Sequence, residues 1–212
     1  MLLVLCASAL PAVPAPEGYL EIDTVIFLDL VDGVPKPLPE KDAMRLLADE
    51  ASWLVKAMVY GFRFTYRPGD RARQTGEVFE LEPLGAEIDT RGFELPRFVE
   101  GRNRLSARFT YRMKDWELRR YNMWYSNIIP ESPGRGAAPL ELGPEGRIAA
   151  HKEAIHTALY NYFRTQVANK PQLIVGEVAI SSSPVAGIDG GEYVSSLRIR
   201  IRPGSVTGYE AQ

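Results

Sequence analysis

Cysteine is nearly absent from this chain. The single one, Cys6, lies in the first apolar run, and a mature chain cleaved beyond it has neither a disulfide nor a thiol nucleophile. An excess of one charge is lacking too. With 25 Lys and Arg against 27 Asp and Glu, the net charge of −2 points away from nucleic acid as a partner and away from an acidic solvating tail. Beyond the amino-terminal residues, no apolar run approaches the roughly 20 residues that a membrane-spanning helix requires. Catalytic signatures are missing as well. There is no G-x-S-x-G, Ser181-Ser182-Ser183 has no marked base, and Gly187, Gly190 and Gly191 have no lysine at P-loop spacing.

What the sequence does hold is enough apolar material for a core. Of its 212 residues 45% are hydrophobic, with 10 Tyr, 8 Phe and 3 Trp, which excludes disorder as the general state. The opening MLLVLCASALPAVPAPEG has the apolar and cleavage regions of a secretory signal, with Ala7-Ser8-Ala9 as the small-x-small site and Leu10-Pro11-Ala12 as a second. The positive region expected before it is missing, and an upstream start would supply it. A lipid on Cys6 is the lesser reading, because Leu5 is large where that signal wants a small residue. The expectation is a signal peptide over residues 1–15 and an exported, periplasmic or envelope-associated protein over residues 16–212, with no transmembrane helix in the mature chain.

Two stretches share one element order. In GRIAAHKEAIHTALYNYFRTQ, Ile148, Ile155, Leu159, Tyr162 and Phe163 recur at helical spacing. QLIVGEVAI then reads as a strand. VSSLRIRIR alternates Leu197, Ile199 and Ile201 with Arg198, Arg200 and Arg202, and residues 181–191 between them read as a hairpin loop. Earlier, Met44, Leu47, Ala51, Leu54, Val55 and Met58 form a helical stripe. VYGFRFTYR follows, with Tyr60, Phe62, Phe64 and Tyr66 opposite Arg63 and Arg67, and then the strand EVFELEPL. Duplicated halves, 19–84 and 103–203, are one explanation of this parallel; the commonness of a helix packed on a hairpin is the other.

The remaining pieces follow the same rules. YLEIDTVIFLDLVDG is a strand with Leu20, Ile22, Ile26, Leu28 and Leu30 on one face. Asp32-Gly33 is a turn, and Pro35, Pro37 and Pro39 form an extended connector. Residues 85–102 read as an irregular surface excursion. NRLSARFTYR alternates Leu105, Ala107, Phe109 and Tyr111 with Arg104, Arg108 and Arg112, and DWELRRYNMWYS reads as its partner strand. Residues 127–146, rich in proline and glycine, read as a mobile or functional loop. The fold class is therefore α+β: a mainly antiparallel sheet of about six or seven strands, two amphipathic helices on one face, and the other face polar and wet. Parallel βαβ architecture is disfavoured, because strands buried on both faces would not alternate so cleanly.

Candidate chemistry is sparse. HKEAIH places His151 and His156 five apart, about 140° around a helix, with Glu153 displaced from zincin spacing, so no metal site and no cofactor is expected. Asp115 and Glu117, two apart, would make a carboxylate pair on a strand face, but without a pocket such pairs carry no weight. The arginines are the stronger signal. Arg104, Arg108, Arg112, Arg198, Arg200 and Arg202 can present planar charged forks to phosphates or carboxylates, with Trp116 and Trp124 as aromatic neighbours. A solvated ladder paired with Glu21, Asp23, Glu80 and Glu82 is the plainer account of the same residues. The expected function is a non-enzymatic envelope protein that binds a partner protein or anionic polymer through an arginine-rich sheet face. The alternative is a hydrolase or transferase acting on an anionic or carbohydrate substrate beneath residues 127–146.

Overall fold

The computed structural model describes residues 18–29, 38–101, 103–166 and 171–208. The leader with Cys6, the Asp32-Gly33 turn, Pro35, Pro37 and Leu30 lie outside them. The described chain runs β1 (Tyr19–Phe27), α1 (Glu40–Val59), β2 (Phe62–Arg67), β3 (Val78–Pro83), β4 (Arg97–Gly101), β5 (Arg104–Arg112), α2 (Asp115–Trp124), β6 (Glu131–Pro139), α3 (Glu145–Gln166), β7 (Leu173–Ile180), β8 (Val185–Asp189) and β9 (Glu192–Thr207). It is an α+β protein with antiparallel pairing throughout these strands. One sheet has three strands in the order β1-β5-β4; the other has six, β3-β2-β7-β9-β6 with β8 beside β9.

Alternation sets which side is buried. Leu20, Ile22 and Ile26 of β1, Phe62, Phe64 and Tyr66 of β2, and Leu197, Ile199 and Ile201 of β9 all turn inward. They meet the stripes of α1 and α3 in one core that spans both sheets. The two stretches of like element order interleave: β1 pairs with β5 and β2 pairs with β7. Phe64 packs on Phe163 of α3, and Trp53 of α1 packs on Phe62, which places both helices on the inner face of the larger sheet.

Four stretches depart from the sequence reading. DWELRRYNMWYS is largely a helix, α2, and not a strand. The Glu117 carboxylate accepts the Lys114 backbone N–H at 2.8 Å, which caps the first turn, and Glu, Leu, Arg and Met are good helix formers. Residues 131–139, within the expected loop, form edge strand β6. Its glycines are there because α3 comes so close: a Cβ at Gly134 would lie 2.0 Å from the Ala154 carbonyl oxygen, and one at Gly136 would lie 2.2 Å from the Ala154 nitrogen. Residues 181–191 contain strand β8, and the hairpin turn is only Gly190 and Gly191. Their φ values of 60° and 83° suit a turn with two left-handed residues. Residues 97–101, within the expected excursion, form β4 against β5.

The outer face of the larger sheet is not wholly wet either. Trp124 of α2 and Ile129 just beyond that helix are buried there against Ala179.

Candidate functional site: a basic groove on the small sheet

The two sheets divide the arginines. Arg104, Arg108 and Arg112 project outward from β5 of the three-stranded sheet, whereas Arg198, Arg200 and Arg202 project from β9 of the larger one. The second trio is taken up in holding the structure together. Arg198 pairs with Glu131 at 3.2 Å and Arg202 with Glu177 at 3.0 Å. The Arg202 guanidinium lies 4.6 Å from the centre of the Trp124 ring, and that of Arg200 lies 5.3 Å from Tyr125. Arg200 also donates to the Ile129 carbonyl at 3.2 Å. The hydroxyl of Ser181, followed by Arg198, holds the Glu131 carboxyl below the usual carboxylate range. Trp124 is fully buried, and the half-exposed Trp116 leans on Tyr60. These residues fasten α2 to the sheet.

The acids and bases of the alternative reading do not converge. Glu117 is buried and accepts hydrogen bonds from Tyr60 and Tyr111, both at 3.0 Å; burial first, and the carboxylate second, push the Tyr60 and Tyr111 phenols up. Asp115 is exposed, so the two carboxylates form no pair. His156 stacks on Phe79 and lies 3.3 Å from Glu77. His151 is buried in a group that the sequence reading missed. Its Nε2 lies 3.0 Å from Glu50 and its Nδ1 lies 2.7 Å from Ser195 Oγ, while Arg147 also grips Glu50. This Ser–His–Glu chain is sealed: Ser195 is 0% exposed, out of reach of any substrate, so the group acts as a polar strut joining α1, α3 and β9. One signal pointed to it: Glu50 falls among the apolar stripe of α1, where a lone carboxylate would be too costly. Among the described residues no group of three or more His, Cys, Asp and Glu could hold a metal ion.

An open groove of about 530 Å³ lies where the outward face of the three-stranded sheet meets residues 183–186. Val25, Val99, Pro184 and Val185 supply its apolar surface, and Asp23, Arg97, Ser106, Arg108 and Ser183 its polar groups. The Asp23 N–H donates to Ser183 Oγ at 3.2 Å, tying the two walls together. In register, Arg97 of β4 stands directly opposite Arg108 of β5, which in turn stands opposite Asp23 of β1. Arg108 donates two bonds to Asp23, at 2.7 and 2.9 Å. The Arg97 guanidinium has no ion pair or hydrogen bond among the described residues, although the backbone is paired with Arg108. Two like charges face each other across the strands and only one is neutralised.

Fold and site together define a two-sheet α+β protein with a basic, partly apolar groove on its smaller sheet. A protein-family model matches residues 11–209, and the chain belongs to that family. The chain is also similar to an uncharacterized protein of Treponema pallidum (strain Nichols), 26% identical over 210 residues that cover 92% of this chain and 85% of that protein. No solved structure matches it. Among the described residues no helix is long and apolar enough to cross a membrane.

Proposed function

We propose that this protein is an exported, non-enzymatic component of the cell envelope that captures an anionic partner, protein or polymer, on the outward face of its three-stranded sheet. One observation carries the reading: Arg97 faces Arg108 across the strands, on the wall of a groove with an apolar floor, and has no acid of its own among the described residues. A carboxylate or phosphate placed between the two guanidiniums would relieve that repulsion and gain charge-assisted hydrogen bonds. Arg104 and Arg112, on the same face of β5, extend the basic strip. The volume lies within the roughly 300–1,000 Å³ of ordinary ligand sites, and the valines and proline would bury the apolar part of a partner. Export is supported by the leader-like composition of residues 1–15.

The test is titration of the full chain with fluorescein-labelled polyglutamate at two salt concentrations. Binding should weaken as salt rises, because exposed charges are screened within about 10 Å at 0.1 M. Arg97→Glu should lower affinity by about tenfold or more, the loss of one charge-assisted bond. Arg63→Glu, on the opposite sheet, should leave affinity unchanged. Equal affinity in the Arg97→Glu and unaltered proteins would defeat the proposal.

A further inference from the structure

β4 ends the three-stranded sheet, and all five of its residues are exposed. Beside it Leu95 is 96% exposed, and within it Val99 is 67% and Phe98 39% exposed. The two end strands of the larger sheet, β3 and β6, are blunted. β6 carries Pro133 and Pro139, which have no N–H to offer, and β3 carries Glu80, Glu82 and Pro83. β4 has neither proline nor lysine, and among the described residues no strand pairs with its outer edge, which is flanked by Leu95, Phe98 and Val99 as well as by Arg97 and Glu100.

The charges on the outward face run in columns. β1 contributes Glu21 and Asp23, β5 contributes Arg104, Arg108 and Arg112, and β4 contributes Arg97. Between the first two columns Glu21 and Asp23 neutralise Arg108, and the third has nothing beyond it among the described residues. We infer that the partner is a polypeptide, and that an extended acidic segment of it adds to β4 as a fourth strand of the small sheet, completing this alternation. The inference rests on the binding reading above and names its partner and mode. Side-chain alternation then sets the sequence sought: acidic residues on the face of Arg97, apolar residues on the face of Phe98. A second copy of this chain does not fit. The outward residues of β4 are Arg97, Val99 and Gly101, so antiparallel self-pairing centred on Val99 would set Arg97 opposite Gly101 of the other copy and supply it with no acid.

The probe is a capped nonapeptide alternating valine and glutamate, added to the full chain, with binding read by fluorescence anisotropy and backbone order by hydrogen exchange. We expect binding, slowed exchange in residues 97–101, and a preference of at least about tenfold over the valine–lysine peptide that Arg97→Glu reverses. N-methylation of alternate peptide amides removes the strand bonds without altering the protein, and should weaken binding by more than about tenfold. Glu100→Pro, which removes an N–H from the outer edge of β4 while Val99 keeps its place opposite Ser106 of β5, should do the same from the other side. If the peptide binds with no protection of residues 97–101, or if N-methylation leaves its affinity unchanged, strand addition is wrong while capture of anions stands. Binding of polyglutamate but not of the nonapeptide likewise rules out strand addition alone. Failure of both probes brings down the binding reading itself.

Discussion

Glu50 shows what a single charged residue costs and contributes in this fold. It sits on the buried face of α1 beside Leu47, Ala51 and Leu54, where an unpaired carboxylate would be too expensive to keep. Arg147 and His151 arrive from α3 to satisfy it, and Ser195 of β9 closes the chain. Removing one member leaves the others buried without a partner, which costs more than the pair contributes when intact. Glu50→Ala should therefore lower unfolding free energy by about 3–5 kcal/mol, because the Arg147 guanidinium stays buried without its acid. Ser195→Ala, which leaves no charge behind, should cost about 1–3 kcal/mol. Urea denaturation of both variants checks the order; equal losses would show that the group is not organised around charge.

Among the elements, β6 and α2 depend most on neighbours distant in sequence. β6 lies under α3, where Ala150, Ala154 and Ala158 form a seam of small side chains against Gly134 and Gly136. A helix backbone this near the strand leaves no room for a side chain. Gly136→Val should thus destabilise the protein by about 3 kcal/mol or more, since overpacking a filled contact commonly costs about 1–3 and the obstacle here is backbone. Gly187→Ala, where an added Cβ meets nothing within 4 Å, serves as the control. Thermal melts of the two variants would settle it, and similar melting temperatures would contradict the seam. α2 is held in a different way. The Trp124 ring lies between Arg120 and Arg202, at 5.7 and 4.6 Å, and both guanidiniums reach Glu177. The arginines of β9 are thereby occupied, which is why the free basic surface lies on β5 and β4.

At the scale of the molecule, one core joins two sheets. α1 reaches both, burying Leu47, Leu54, Val55 and Met58, and the strands it covers come from distant parts of the chain. Strands of both sheets bury their apolar faces in that shared core. Unfolding should consequently be a single transition, with far-ultraviolet circular dichroism and tryptophan fluorescence tracing the same denaturation curve. Two separated midpoints would mean that the small sheet folds independently. The groove belongs to this scale as well: β1, β4, β5 and residues 183–186 build it together, and no one segment carries it.

The sequence by itself determined the fold class, both long helices and the inward faces of β1, β2, β5 and β9. Those features depend on periodicity, which a few neighbouring residues express: Leu197, Ile199 and Ile201 have to share a face whatever else the chain does. It also marked arginine as the residue to watch, and named Arg108. Only the tertiary structure decided which arginines are free. Arg97 looked like part of an irregular stretch until register set it opposite Arg108, while Arg200 and Arg202 looked exposed until α2 covered them. The same holds for β6, whose glycines and prolines imitate a loop when the helix above them is not in view. Local pattern reports the side on which a residue sits. What it meets there is set by strands and helices far away in sequence, and the chemistry follows from that meeting.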